Sequence, residues 1–164
     1  MLNWSYEQNE HPVVIRVPSV PLKSTGIEDK TDYSKLNKYK LIEKGSKVAL
    51  IGLGNFFELA KETKEELKKQ GIDATLINPC FASGLDEELL NNLKENHNLV
   101  ITLEDGVLDG GFGEKIARFY GNSEVKVLNY GATKVFSDRV PLEKLYQEYR
   151  LKKELIIEDV LKNI

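Results

Sequence analysis

The chain has 164 residues, of which 41% are hydrophobic, and a formal net charge of −3. Its 23 basic and 26 acidic residues are interleaved on predicted helix faces, which excludes the one-sided charge of a nucleic-acid-binding surface. No apolar run reaches the roughly 18 residues of a membrane span. The polar and acidic start does not favour a signal peptide, and the single cysteine cannot form an internal disulfide. We therefore expect one domain with a short appendage in a reducing cytoplasm, without a nucleic-acid or membrane partner.

The first residues predict secondary structure but no core of their own. Met1–Glu10 is compatible with a short helix, and Val13–Val17 is apolar and β-branched, which predicts a strand. The residues that follow, 18–38, are rich in proline, glycine and polar side chains and predict an extended linker. Because a strand needs neighbours, we expect this one to belong to a sheet elsewhere, and to be disordered or paired with a second copy when that sheet is absent.

The centre of the chain carries the pattern of a strand, a helix and a second strand. Val48–Leu53 is a continuous apolar run, typical of a buried parallel strand, and Gly52 and Gly54 end it. Asn55 is predicted to cap the helix, with Glu58 completing a capping box. The predicted buried stripe is Phe56, Leu59, Ala60, Thr63 and Leu67, and the predicted solvent face is Lys61, Glu62, Lys64, Glu65, Lys68 and Lys69.

The whole pattern predicts an α/β fold: a three-layer α/β/α domain over Lys38–Ile164 with a mostly parallel five-stranded sheet and one antiparallel edge strand. The predicted strands are Tyr39–Glu43, Val48–Leu53, Ala74–Asn78, Leu99–Leu103 and Val125–Tyr130. Further helices are predicted over Glu87–Glu95 with Ser83 or Asp86 as cap, after the glycines at 110–113, after Pro141 and over Leu155–Ile164. The first strand turns at Lys44-Gly45-Ser46 into the second, which predicts an antiparallel edge hairpin.

The glycine pair after the central strand suggests dinucleotide binding, but its supports are missing. Phe57 stands where the third small residue of that motif is needed, and Asn78 stands where the ribose-binding carboxylate is needed. Cys80 and His97 lack the neighbouring residues that a metal site or a nucleophilic pair requires. We interpret the glycines as a tight turn and the histidine as part of a polar helix end.

A second glycine cluster follows the predicted strand that ends at residue 103. Its members are Glu104, Asp105, Gly110, Gly111 and Gly113. They lie at the carboxyl end of a parallel strand and at a helix start, where open α/β sheets bind ligands and where carboxylates are electrostatically favoured. Two interpretations remain open: a small-molecule site, and a tight turn that holds a domain or subunit contact, which we favour.

An ordered set of segments carries a family resemblance. PVVIRVP, KVALIGLG, ATLINP, LDEELL, HNLVITLEDG and GGFGEKI resemble, in this order and spacing, the carboxyl-terminal domain of the transketolase family. The resemblance implies three parts: residues 1–17 as the last helix and strand of a pyrimidine-binding domain, 18–37 as an interdomain linker, and 38–164 as the carboxyl-terminal domain. It therefore implies that the chain is the tail of a longer protein.

The resemblance also implies chemistry that lies outside this chain. Enzymes of this kind use thiamine diphosphate and magnesium, and the nearest branch condenses a decarboxylated pyruvate unit with glyceraldehyde 3-phosphate. Their metal motif and cofactor-activating glutamate match no segment here, so we expect no catalytic, cofactor-binding or metal-binding residue and no activity from the fragment alone. We expect it to serve domain packing and dimer support, with the rest of the parent chain and a homodimer as its partners.

Three positions depart from the resembling pattern. Ser19 replaces an arginine that resembles a substrate-phosphate ligand, Arg139 aligns with a histidine and Cys80 aligns with an arginine. Arg16, Ser19 and Arg139 are therefore the candidate substrate-phosphate neighbourhood. Since a lost charge-assisted phosphate contact weakens binding, the parent is either a divergent synthase or a relative with another acceptor.

A different class of function stays open. The chain could instead be the non-catalytic, partner-binding domain of a two-chain transketolase-like or 2-oxoacid dehydrogenase enzyme. The reading frame upstream of Met1 distinguishes the two hypotheses, because only the first predicts that it continues into a thiamine-diphosphate enzyme.

Overall fold

The computed structural model describes residues 1–17 and 30–164. The chain divides into two compact units, Met1–Leu36 and Asn37–Ile164. Ser19 and most of the predicted linker lie outside the described residues. Within the described part of the chain, no helix is long and apolar enough to cross a membrane.

Within its described residues, the first unit contains one short helix, α1 (Leu2–Glu7), and no residue of this helix is buried. Trp4 in this helix stacks at a tilt on Tyr33, with ring centroids 6.3 Å apart. Val13–Val17 forms no regular structure in this chain, and the side chains of Val14 and Val17 are exposed. The strand was expected to pair within a sheet outside this chain, and that expectation stays a prediction.

The second unit is built on a five-stranded sheet. Its strands are β1 (Lys40–Glu43), β2 (Lys47–Gly52), β3 (Thr75–Asn78), β4 (His97–Val107) and β5 (Lys126–Ala132). Their order across the sheet is β1-β3-β2-β4-β5. The β1–β3 pair is antiparallel and the other three pairs are parallel. The predicted sheet, its five strands and its antiparallel edge are confirmed.

Helices cover both faces of the sheet. They are α2 (Phe56–Lys69), α3 (Glu87–Leu93), α4 (Phe112–Tyr120), α5 (Leu142–Glu148) and α6 (Lys153–Asn163). One core cluster joins α2 and α6 to one face, through residues such as Leu67, Ile101 and Ile156. The other joins α3 and α4 to the opposite face, through residues such as Leu90, Val100 and Ile116. Successive residues of β4 therefore alternate between two cores, which explains its uninterrupted apolar run and confirms the three-layer fold.

The predicted hairpin between the first two strands is wrong, because β3 lies between them. The turn at Lys44-Gly45-Ser46 instead crosses the amino end of β3. Its backbone is fastened there: Ser46 N–H donates to the carbonyl of Asp73 at 2.9 Å. Gly45 is required, since a Cβ at this position would lie 2.0 Å from that same carbonyl oxygen. The sequence predicts a turn at Lys44-Gly45-Ser46 correctly. It does not show whether the turn joins two neighbouring strands or crosses a third one, because both kinds of turn have the same composition.

Helix α2 begins where predicted but differs in two details. Asn55 is the amino-terminal cap residue, yet its side chain makes no capping hydrogen bond. Lys64 was predicted on the solvent face, but its side chain is only 3% exposed. Its Nζ lies 2.9 Å from Oε2 of Glu43 and 3.1 Å from Oδ1 of Asp73. By contrast, Asp86 caps α3 as predicted, accepting from the N–H of Leu89.

Candidate functional site: the carboxyl-edge turn

The turn after β2 is shaped by helix packing. A Cβ on Gly52 would lie 2.7 Å from the Cα of Phe57 and 2.9 Å from the Cβ of Ala60. The glycine therefore lets α2 lie directly against its strand, as a tight strand-to-helix turn requires. Gly54 follows with a left-handed φ of 62° and reverses the chain. These geometries agree with the interpretation of the pair as a tight turn.

The second glycine cluster, residues 104–113, connects β4 to α4, and we call it the carboxyl-edge turn; its inner part is a clamp made by Glu104. The side chain of Glu104 is buried, and its two carboxylate oxygens accept the backbone N–H groups of Phe112, at 2.9 Å, and Gly113, at 2.7 Å. Both donors are first-turn N–H groups of α4, which have no acceptor within the helix. The position that a phosphate or other anion would take at this helix end is therefore filled by the protein's own carboxylate.

The glycines at the clamp are fixed by close approach. A Cβ on Gly111 would lie 2.7 Å from a Glu104 carboxylate oxygen, and one on Gly113 would lie 2.5 Å from the hydroxyl oxygen of Thr102. Thr102 in turn donates to the side-chain oxygen of Asn129 on β5, at 2.8 Å. The carboxylate, the helix start and the last two strands thus form one rigid unit.

The outer half of the turn faces solvent. Asp105 is exposed, and Gly110 has a left-handed φ of 72° and donates its N–H to Glu114. The pKa of Tyr146 on α5 is raised by burial first and then by the negative charges of Asp105 and Glu143. The exposed carboxylate therefore acts electrostatically on α5. The predicted contact role of this turn stays a prediction, with Glu104 supporting the turn from inside and Asp105 and Gly110 on its surface.

The predicted phosphate neighbourhood is not assembled within either unit. Arg16 is exposed in the first unit, and Ser19 lies outside the described residues. Arg139 is 93% exposed in the second unit, 3.8 Å from Asp138, with a left-handed φ of 56°. Cys80, at the third departing position, is half-buried after β3. The neighbourhood therefore remains a prediction.

Sequence reasoning missed a polar network at the opposite, amino edge of the sheet. His97 was interpreted as part of a helix end, but it is the first residue of β4 and is buried. Its Nδ1 lies 3.0 Å from the carbonyl of Leu93, and its Nε2 lies 2.7 Å from the hydroxyl of Thr75. That hydroxyl also accepts the N–H of Gly45 at 2.9 Å.

The hydrogen-bond roles at this network determine the state of the imidazole. A carbonyl only accepts, so Nδ1 of His97 carries a proton and donates it to Leu93. In the neutral ring Nε2 has no proton and therefore accepts the Thr75 hydroxyl proton. Burial, opposed by the Leu93 hydrogen bond and aided by the charge of Lys44, lowers the pKa of His97. The neutral ring lines a cleft of about 730 Å³ with Leu41, Ser46 and other residues. Its hydrogen bonds are all internal, so the arrangement is structural. His97 lies two residues before the apolar run that starts at Leu99, and the β2–β4 register shifts between them, so strand alternation does not identify its buried position.

Comparison with known proteins identifies the family of the chain. Residues 37–156 match the family model described as "Transketolase, C-terminal domain". The chain belongs to this family. Within described residues 1–17 and 30–164, no three His, Cys, Asp or Glu side chains are grouped so that they could hold a metal ion.

Two curated relatives of the chain share one name. The protein named 1-deoxy-D-xylulose-5-phosphate synthase from Clostridium tetani is 34% identical over 99% of this chain. The synthase of the same name from Lachnoclostridium phytofermentans is 32% identical over 96% of the chain. The chain spans only about a quarter of these relatives, 26% and 27% of their lengths.

Solved structures confirm the fold independently. One titled "Split gene transketolase, inactive beta4 tetramer" matches 77% of this chain and 41% of its own, with a TM-score of 0.67 and 23% identity. Transketolase from Campylobacter jejuni subsp. jejuni matches 77% of this chain and 18% of its own, with a TM-score of 0.53 and 21% identity. At these identities the likeness shows the fold alone.

Proposed function

We propose that this chain serves as the carboxyl-terminal domain of a 1-deoxy-D-xylulose-5-phosphate synthase, a cytoplasmic, homodimeric transferase that uses thiamine diphosphate and magnesium. The reaction joins pyruvate and glyceraldehyde 3-phosphate to give 1-deoxyxylulose 5-phosphate and CO2. The observation that carries the proposal is the alignment of 99% of the chain with a protein of that name at 34% identity. Residues 1–17 and 18–37 correspond in this proposal to the end of a pyrimidine-binding domain and to an interdomain linker.

The cofactor site lies outside the carboxyl-edge turn in this proposal. A diphosphate needs free N–H donors at a helix start or a metal held by carboxylates, whereas Glu104 already accepts the N–H groups of Phe112 and Gly113. The turn therefore does not fit the cofactor. Its rigid, internally satisfied geometry suits packing against another part of the enzyme, and that is the role we assign to the domain.

The acceptor is the least constrained part of the proposal. Serine at position 19 and arginine at 139 alter the charges that the family resemblance associates with the substrate phosphate. Arg139 can take the place of the arginine that is absent at position 19 only if the assembled enzyme brings positions 19 and 139 to the same phosphate. A panel of aldehyde acceptors with and without a phosphate group would identify the preference.

The two-chain alternative is supported by one specific finding. A structural neighbour is titled a split gene transketolase, so the same fold occurs in a transketolase encoded in pieces. In that case this chain would be the partner-binding part of a separately encoded subunit. The two arrangements differ in the gene and not in the domain's packing role.

The decisive experiment begins with the source genome around this chain. The proposal expects a thiamine-diphosphate-binding segment in the same reading frame, and the alternative expects it in a separate gene. That segment is then expressed with and without the chain and assayed with pyruvate, glyceraldehyde 3-phosphate, cofactor and magnesium. Product formation only when both parts are present supports the proposed role. Full activity without the chain, or micromolar binding of thiamine diphosphate by the chain alone, would overturn it.

A further inference from the structure

One side of the second unit carries apolar residues that the domain itself does not bury. Residues 133–150, all of which the structure describes, include no buried residue. Their apolar and aromatic members are Val135, Phe136, Val140, Leu142, Leu145, Tyr146 and Tyr149. Phe136 is fully exposed, and Val135 and Leu142 are 61% and 51% exposed. Tyr146 and Tyr149 pack partly against the core, whereas the others have no core contact. Single exposed apolar residues are ordinary, but several within one short segment are typical of a contact surface.

The segment is held in place from behind. The carbonyl of Ala132, at the end of β5, accepts the N–H of Leu108 at 2.9 Å, and Val135 N–H donates to Thr133 at 2.9 Å. On the inner side of α5, the ring of Tyr146 packs edge-on against Phe56 with centroids 5.8 Å apart. The segment is therefore anchored to the domain at its two ends, at Ala132 and at Tyr146.

The same side includes the outer half of the carboxyl-edge turn. Val107 is 39% exposed and pairs with Ala132 where β4 and β5 extend past the sheet. The charge of Asp105 reaches Tyr146 on α5. We define the carboxyl-edge surface by five residues: Asp105, Val107, Val135, Phe136 and Leu142.

Charge selects the class of occupant. The charged residues of the segment and of the adjoining turn surface are Asp105, Lys134, Asp138, Arg139, Glu143, Lys144, Glu148 and Arg150. Four cations and four carboxylates leave no net charge, whereas nucleic acid and anionic lipid surfaces require a net positive one. An apolar centre with a mixed, balanced rim is typical of a protein–protein contact.

We propose that the carboxyl-edge surface docks the larger part of the synthase polypeptide, with Val135 and Phe136 as its central apolar contacts. This inference rests on the proposed function. The occupant follows from length, because about three quarters of each relative lies outside the part that this chain matches. A domain that supplies a quarter of a folded enzyme needs a surface for the remainder, and this segment is anchored, apolar and uncovered.

The test uses the chain together with the remaining synthase polypeptide, expressed separately and mixed. Phe136→Ser should leave the melting temperature of the isolated chain unchanged, because the ring contacts nothing that folding buries. It should weaken binding to the larger part at least about 30-fold, as expected for an aromatic hot spot of more than about 2 kcal/mol. Leu161→Ser on α6, where the side chain is 49% exposed, is the matched control and should bind as the wild type does.

The outcomes separate this inference from the proposed function. If the wild-type chain neither binds nor activates the larger part, the proposed function fails. If the wild type binds and activates but Phe136→Ser binds equally well, only the docking surface is wrong. Sedimentation of the chain alone gives a further check: a self-association that Phe136→Ser abolishes would assign the surface to a second copy and overturn the proposed occupant.

Discussion

The two edges of the sheet differ in whether their polar groups are hydrogen-bonded inside the domain or exposed to solvent. At the amino edge, His97 and Thr75 are buried in a closed hydrogen-bond chain that fastens the β1–β2 crossover at Gly45. At the carboxyl edge, only the inner layer is closed, by Glu104, while Asp105 and Phe136 face outward. The difference teaches that hydrogen bonds within the domain satisfy the polar groups of the amino edge, whereas the carboxyl edge leaves an outer layer exposed, as the proposed docking surface requires.

The largest effect is expected from breaking the carboxylate clamp. Glu104→Ala removes two charge-assisted hydrogen bonds and leaves two buried N–H groups of α4 without an acceptor, which should lower the free energy of unfolding by about 3 kcal/mol. Urea denaturation followed by circular dichroism measures it. The exposed neighbour provides the control, since Asp105→Asn should change stability by less than about 0.5 kcal/mol. Equal losses of stability in the two variants would contradict the assignment of Glu104 to a closed inner layer and of Asp105 to an exposed outer layer.

The second largest loss of stability is expected from removing the Thr75 hydroxyl at the amino edge. Thr75→Val keeps the shape of the side chain but leaves the Gly45 N–H and the His97 Nε2 without a partner, at an expected cost of about 2 kcal/mol. Thr63→Val is a matched control, because its buried hydroxyl only donates to the helix carbonyl of Leu59. A similar loss of stability in both variants would show that the Thr75 hydrogen bonds stabilise the fold no more than an ordinary helix hydroxyl does.

The amino edge should also respond to pH. Because the pKa of His97 is lowered in the folded protein, the unfolded chain takes up a proton first as pH falls below the ordinary value of about 6.5. Stability should therefore be full above pH 6.5 and decrease between pH 6.5 and 5, before most carboxylates titrate. His97→Gln should be less stable but nearly independent of pH in this range. An equal pH slope in the variant would exclude His97 as the cause.

Sequence patterns predicted the sheet well because its strands are continuous apolar runs, and a run such as Val48–Leu53 has few other possible roles. They also predicted which residues surround the carboxyl-edge turn. They did not predict the strand order, since β1 lies next to β3 only through a crossover whose composition equals that of a hairpin. Nor did they predict the burial of Lys64 and His97, whose partners Glu43 and Thr75 are distant in sequence.

The smallest effect is expected at Lys64, which joins α2 to β1 and to the loop before β3. Burial by itself lowers the pKa of this lysine, but its hydrogen bonds and charge interactions with Glu43 and Asp73 outweigh that effect and raise it. Both carboxylates are about half exposed, at 50% and 56%, so water can solvate them when the lysine is lost.

Lys64→Met keeps the packed stem and removes the desolvated charge, so the free energy of unfolding should change by less than about 1 kcal/mol in either direction. Lys64→Ala also removes the stem and should be less stable than Lys64→Met. Chemical denaturation of the two variants side by side separates charge from packing. A loss of about 3 kcal/mol or more in Lys64→Met would mean that this ion pair stabilises the edge strand as strongly as the Glu104 clamp stabilises the opposite edge, and that the amino edge depends on charge as well as on its hydrogen-bond chain.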